Sequence, residues 1–179
     1  LLRLVNNLSA APLISQTEPL ETKNVELVAW LTELIHCAQP LVAHAGVKLT
    51  LRCSLTAHVA AIHPSYLERL LWNLLSNAVK FTPEDGKIDV FISESRRSNG
   101  FAYIEFRVSD TGIGIKKEDQ VTIFDRFVKL DRFKQGTGLG LSICKTIITM
   151  LNGEIGVDSE EGVGSTFWFS IPCNPVKVN

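Results

Sequence analysis

From Lys87 the chain alternates apolar and polar residues through KIDVFISES, turns in RRSNG, and alternates again through FAYIEFRVSD to Asp110. Strict alternation marks a strand with one face in the core and one in water. Two such strands around a short polar turn read as a β-hairpin. A hairpin of this length must cover its apolar face, and the neighbouring sequence offers helices to do it.

The first helix starts at Asn24 or Glu26, carries Val28, Leu31, Leu34, Ile35, Ala38 and Val42, and ends near Gly46. VKLTLRC then reads as a strand, and HVAAI as its partner. A second helix runs from about Pro64, well suited to a first turn, to Phe81, before Pro83 and the EDG turn. Residues 111–137 have weak periodicity, with one helical turn around VTIF. A stretch of that length without regular structure is usually functional. A third helix spans about Gly138 to Leu151, and EIGVDSEEGVGSTFWFSI gives two closing strands.

Helices alternating with strand pairs define an α+β, two-layer sandwich: a mixed, mostly antiparallel sheet of about five strands under about three helices. A parallel dinucleotide-binding sheet fits less well, because it needs single strands between crossover helices. Residues 1–15 place Leu1, Leu4, Val5 and Leu8 at helical spacing with little of their own to pack against, 16–23 reads as a linker, 24–173 as the domain, and 174–179 as a tail. The opening LLRLVNN reads like the middle of a helix, so the expectation is a piece of a longer protein.

The chain of 179 residues is 45% hydrophobic with a formal net charge of −1. That balance supports a substantial core and argues against a nucleic-acid partner, whose recognition rests on clustered Lys and Arg. No apolar run approaches the roughly 18 residues of a membrane span. Cys37, Cys53, Cys144 and Cys173 form no C-x-x-C pair, so they signal neither zinc nor a redox motif, and reduced, mostly buried thiols are expected.

The helix YLERLLWNLLSNAVKF carries the most chemistry. At about 100° per residue, Leu67, Leu71, Leu74, Leu75, Ala78 and Phe81 share one broad face. Asn73, Asn77 and Lys80 lie within about 60° of one another on the opposite side. Asparagine competes with helical hydrogen bonds, so two of them stacked on one helix need a reason. Either they satisfy buried backbone groups, or they supply a neutral oxygen to Mg²⁺ whose other ligands are phosphate and water. Lys80 would then neutralise phosphate charge.

Two glycine clusters follow, DTGIGI at 110–115 and GTGLGL at 136–141. Asp110 ends a strand as an acceptor that suits the exocyclic amine of adenine, with Gly112 and Gly114 admitting the ring; the alternative is an ordinary capped turn. The second cluster runs into a helix N-terminus, a natural anion site. It lacks the lysine of a Walker loop.

Taken together, NLLSNAVKF, DTGIGI, IFDRFVK, GTGLGLSI and GVGSTFWF resemble, in order, the N, G1, F, G2 and G3 boxes of sensor histidine kinases. The likeness covers roughly residues 24–172 and implies the Bergerat ATP-binding fold, shared with type II topoisomerases, mismatch-repair ATPases and large heat-shock chaperones. It implies ATP and Mg²⁺ as ligands, with Asn77 on the metal and Asn73 and Lys80 near metal and phosphates. Asp110 would read adenine beside Gly112 and Gly114, and Phe124 and Phe127 would pack a lid over about 115–137. Lys129 stands where many members carry an arginine near the γ-phosphate. Gly136, Gly138, Leu139, Gly140 and Leu141 would close on the phosphates, and Thr166 would sit beside adenine. Phe81 replaces a frequent tyrosine, and Gln135 a frequent glycine.

The resemblance also implies the reaction. Hydrolysing relatives carry a glutamate as general base where this chain has Asn73, which disfavours an ATPase; transfer needs mainly positioning and charge neutralisation. The acceptor would be a histidine followed by an acid, and none of His36, His44, His58 and His63 is so placed. The expectation is therefore the cytoplasmic catalytic part of a sensor histidine kinase, acting on a dimerisation domain that lies before residue 1. A response regulator or fused receiver would stand downstream, with no membrane contact by this piece. A degenerate nucleotide sensor is the alternative.

Overall fold

The computed structural model describes residues 21–55, 59–96, 102–125 and 139–173. Its elements run β1 (Lys23–Glu26), α1 (Leu27–His44), β2 (Lys48–Ser54), β3 (Val59–Ile62), α2 (Pro64–Phe81), β4 (Lys87–Arg96), β5 (Ala102–Asp110), a 3-10 turn (Asp119–Val121), α3 (Gly140–Met150), β6 (Glu154–Glu160) and β7 (Gly164–Pro172). Five strands form one sheet in the order β2-β4-β5-β7-β6. The β2–β4 pair is parallel and the other three are antiparallel, as a mixed, mostly antiparallel sheet requires.

The three helices cover one face of that sheet. On α2 the expected stripe is buried, Leu67, Leu71, Leu74, Leu75, Ala78 and Phe81, joined by Tyr66 and Leu70. Pro64 opens the helix, and Thr82 closes it by donating its hydroxyl to the Ala78 carbonyl at 2.6 Å. On α1 the Glu26 carboxylate accepts from the Ala29 N–H at 2.6 Å, capping the helix start. Its buried stripe includes Leu27 where the sequence suggested Val28, which is only half buried. Beneath the helices the Phe106 and Phe169 rings, cross-strand partners on β5 and β7, stack at 4.7 Å. The opposite face of the sheet carries polar ladders: Arg52 pairs with Asp89 on the neighbouring strand, and Arg107 with Glu105.

Two expectations need correction, the pairing of HVAAI and the burial of the thiols. HVAAI does not pair with VKLTLRC: β3 pairs antiparallel with β1, Lys23 opposite Ile62, and β2 instead lies parallel to β4 as an edge strand. Lys23, the last residue of the expected linker, is the first residue of β1. The thiols are not mostly buried: Cys37 and Cys53 are exposed, and only Cys144 and Cys173 are in the core. The first part of the expected lid, Ile115 to Asp125, is fastened to the body. Ile115 and Ile123 are buried, and the Gln120 side chain donates to the Ile115 and Ser159 carbonyls at 2.8 and 2.9 Å. Among the described residues no helix is long and apolar enough to cross a membrane.

Candidate functional site

A cleft opens between the end of α2, the loop after β5 and the start of β7. Asn77, Phe81, Asp110, Ile113, Gly114, Ile115, Ser165 and Phe167 line it. Asp110 and Ser165 are cross-strand partners, so both side chains leave the sheet on the helix side. Phe124 stands edge-on to Phe167, with centroids 6.3 Å apart, and extends this wall.

The loop carrying Asp110 is laced on both sides. Ile113 N–H donates to the Phe81 carbonyl at 3.3 Å, satisfying a carbonyl left over at the end of α2. Gly162 N–H donates to the Ile113 carbonyl at 2.8 Å, and Ile115 N–H to the Ser159 hydroxyl at 2.8 Å. The helix that presents Asn77 and the strand end that presents Asp110 are thus held by one loop, clamped in turn by the β6–β7 turn.

That clamp explains the glycines. Gly114 has φ +67° and lies against the Glu160 backbone, which any side-chain carbon at 114 would overlap. A carbon at Gly112 would come within 2.5 Å of the Phe81 carbonyl. Gly164, with φ +145°, lies against the Asp110 carbonyl. The sequence reading had Gly112 and Gly114 small to admit a ligand. Their nearest neighbours are instead protein backbone, although Gly114 also lines the cleft.

Gly112 N–H donates to Asp110 Oδ1 at 2.9 Å, and Ser165 N–H also donates to the carboxylate. Burial nevertheless outweighs these bonds and raises the Asp110 carboxyl above the ordinary aspartate range. In the empty protein the folded state holds this proton more tightly than the unfolded chain. Asp110 therefore lowers stability as pH rises through that window. A ligand that donates to the ionised carboxylate reverses the effect. The affinity of such a ligand is expected to fall on acidification, beginning above the ordinary value of about 3.9. Calorimetric titrations at a series of pH values check this, and a flat profile down to pH 4 would count against an ionised Asp110 as the acceptor.

Asn73 lies one turn before Asn77 on the same side of α2, facing α3. Its Oδ1 is 3.5 Å from where a side-chain carbon of Gly140 would stand. Lys80 is half buried, with its ammonium 5.1 Å from the Phe81 ring centre. Leu139 precedes α3, and Gly140 and Leu141 form its first turn, placing the helix N-terminus beside Asn73. Thr166 is not brought to the cleft. Strand alternation turns it to the other face of the sheet, where its hydroxyl meets that of Ser109 at 2.9 Å. Its neighbours Ser165 and Phe167 take the place expected for it. Phe127, Lys129, Gly136 and Gly138 lie outside the described residues. The sequence reading missed Ile113, Ile115, Ser165 and Phe167. For the last two, the in-phase alternation of GSTFWF opposite Asp110 was the available signal.

Residues 62–175 match the family described as histidine kinase-, DNA gyrase B-, and HSP90-like ATPases, and the chain belongs to it. Sensor histidine kinases are among the proteins it is similar to. Over 110 residues, 59% of this chain and 11% of the relative, it is 46% identical to sensor histidine kinase AruS of Pseudomonas aeruginosa. Over 140 residues, 73% of this chain and 15% of the relative, it is 39% identical to signal transduction histidine-protein kinase BarA of Escherichia coli. The chain thus spans only a small part of those proteins. Among solved structures, full-length ShkA in complex with AMPPNP superposes with a TM-score of 0.78 at 28% identity, over 97% of this chain and 34% of that one. The catalytic domain of histidine kinase ThkA superposes with a TM-score of 0.70 at 26% identity, over 85% of this chain and 95% of that one. The fold is that of histidine kinase catalytic domains, the Bergerat fold.

Proposed function

We propose that this chain binds Mg²⁺–ATP and serves as the catalytic part of a sensor histidine kinase, passing the γ-phosphate to a histidine on a dimerisation domain outside it. The observation that carries this reading is the cleft itself. A half-buried acceptor, Asp110, shares one apolar-walled pocket with Asn77, at the end of a helix whose same side carries Asn73 and Lys80. Adenine would stack between Ile113, Phe81 and Phe167 while its exocyclic amine donates to Asp110. The polyphosphate would then run past Asn77 and Lys80 to the first turn of α3, with Lys129 and the 136–141 glycines closing over it.

The donor set suits Mg²⁺ only together with nucleotide. No group of three or more His, Cys, Asp or Glu among the described residues could hold a metal alone. One neutral oxygen, from Asn77, leaves the remaining ligands to phosphate and water. Bound there, the ion would neutralise phosphate charge. The chain's own part is to fix adenine, hold the phosphates in line and offer cations. Asn73 supplies no general base, so transfer is favoured over hydrolysis. The phosphoacceptor helix, in a homodimer of the full-length protein, and a receiver or response regulator are the partners that follow from this reading. It also places the domain in the cytoplasm.

Asn77→Ala should leave AMP affinity unchanged and remove most of the gain in affinity that Mg²⁺ gives to ATP, about tenfold or more. Calorimetry with and without Mg²⁺ checks this. The chain alone should form no stable phosphohistidine, and should phosphorylate its dimerisation domain when that is supplied. A folded sample that binds no adenine nucleotide would overturn the proposal.

A further inference from the structure

Asp110, Ser165 and Ser159 stand in one row across three strands. Asp110 on β5 pairs with Ser165 on β7, and Ser165 pairs in turn with Ser159 on β6. Cross-strand partners share a face of the sheet, here the face that carries the cleft. Asp110 and Ser165 line the cleft, and Ser165 is buried. Ser159, one strand further out, is not part of the lining.

The hydrogen bonds of Ser159 fix the polarity of this row. A serine hydroxyl has one proton and two lone pairs. The Ser159 hydroxyl donates to the Gly164 carbonyl at 2.9 Å, and that bond takes its only proton. It accepts from the Ile115 N–H at 2.8 Å, which fills one lone pair. Its remaining contact is the Ser165 hydroxyl at 2.8 Å. Only a lone pair is left for that contact, so Ser165 gives its proton to Ser159. What Ser165 keeps for the cleft is lone pairs, like the carboxylate beside it.

We propose that Ser159 is a positioning residue that sets base selectivity from outside the cleft. By taking the Ser165 proton it turns the wall from Asp110 to Ser165 into acceptors only. A base is then admitted through an exocyclic amine. It is turned away when a carbonyl stands in that place, because two oxygens would face each other with no proton between them. The inference rests on the nucleotide reading above. It adds Ser165 to Asp110 as a second selecting group, held in that role by a residue that touches no ligand.

The test measures the affinity of this chain for ADP and for IDP, whose base has a carbonyl where adenine has its amine, by calorimetry. The unsubstituted chain should prefer ADP. In Ser159→Ala the Ser165 proton loses its acceptor and is free to meet a carbonyl, so the preference should shrink about three- to tenfold. Ser159→Thr keeps the hydroxyl and should keep the preference. Adding Ser165→Ala to Ser159→Ala removes the released proton and should weaken IDP binding again. Gln120→Ala is the control for a slack loop. It removes the bonds to the Ile115 and Ser159 carbonyls and leaves the hydroxyls in place, so it should change both affinities by the same factor. An unchanged preference in Ser159→Ala overturns the proposal. So does an equal loss of preference in Gln120→Ala, which marks a structural role alone. Should Ser159→Ala fail to fold, Ser165→Ala decides by its sign. The preference falls if Ser165 faced the cleft with lone pairs; it rises if Ser165 faced it with its proton, which overturns the proposal. An unsubstituted chain that binds both nucleotides equally overturns this inference alone, and one that binds neither overturns the nucleotide reading with it.

Discussion

Asp110→Asn should raise the dissociation constant for ADP about a hundredfold, in line with the loss of a charge-assisted hydrogen bond. A carboxylate is an acceptor on every side, and this one is used from several. The Gly112 and Ser165 N–H groups already donate to it, and the adenine amine would add another donor. Asparagine has a single acceptor oxygen, so its NH₂ must face either a backbone N–H or the base. The first option strains the loop and the second repels the ligand. The amide also removes the cost of burying a charge, so the empty variant should be at least as stable as the parent near neutral pH. Calorimetry with ADP, together with urea unfolding of the empty variant, separates the two effects. Affinity retained within about threefold would mean that adenine is read elsewhere.

Gly114→Ala should be the most damaging of the small substitutions, costing roughly 2–4 kcal/mol of stability through overpacking and a disfavoured backbone conformation together. The added methyl has no room, because the Glu160 backbone already occupies its place, and the φ of +67° disfavours any side chain. Gly162 is the built-in comparison. Its φ of +81° is similarly unusual, but nothing lies within 4 Å of its side-chain position. Gly162→Ala should therefore cost only the conformational part, about 1 kcal/mol. Urea unfolding of both variants checks the difference. Equal losses would show that crowding is not what requires glycine at 114.

The parts of the fold that were legible in the sequence are those written locally. Alternation along KIDVFISES and FAYIEFRVSD fixes a hairpin, and the leucine spacing of α2 fixes its buried stripe, because both depend on neighbours within a few residues. The partners of β3 and β2 were not legible. A four-residue strand such as VAAI carries too little pattern to name its neighbour, and its actual partner, KNVE, is mostly exposed and has no apolar alternation at all. The site shows the same division. Asp110, Asn77 and their order along the chain announce a shared pocket. Which residue of GSTFWF faces that pocket depends on the phase of β7 against β5, and choosing Thr166 over Ser165 and Phe167 misses by one position. The glycine positions were legible, but their main neighbour was not, because the contact between residue 114 and residue 160 is made by a turn distant in sequence.

The cleft walls come from α2, from the loop after β5 and from β7, segments up to about ninety residues apart in the sequence. No part of the unfolded chain can reproduce that surface, so a nucleotide has affinity for the native state alone. Each molecule bound therefore also opposes denaturation. At a free concentration a hundred times the dissociation constant, the gain is about 2.7 kcal/mol. The melting temperature of this chain should then rise with nucleotide concentration, which makes simple thermal denaturation a way to rank ligands.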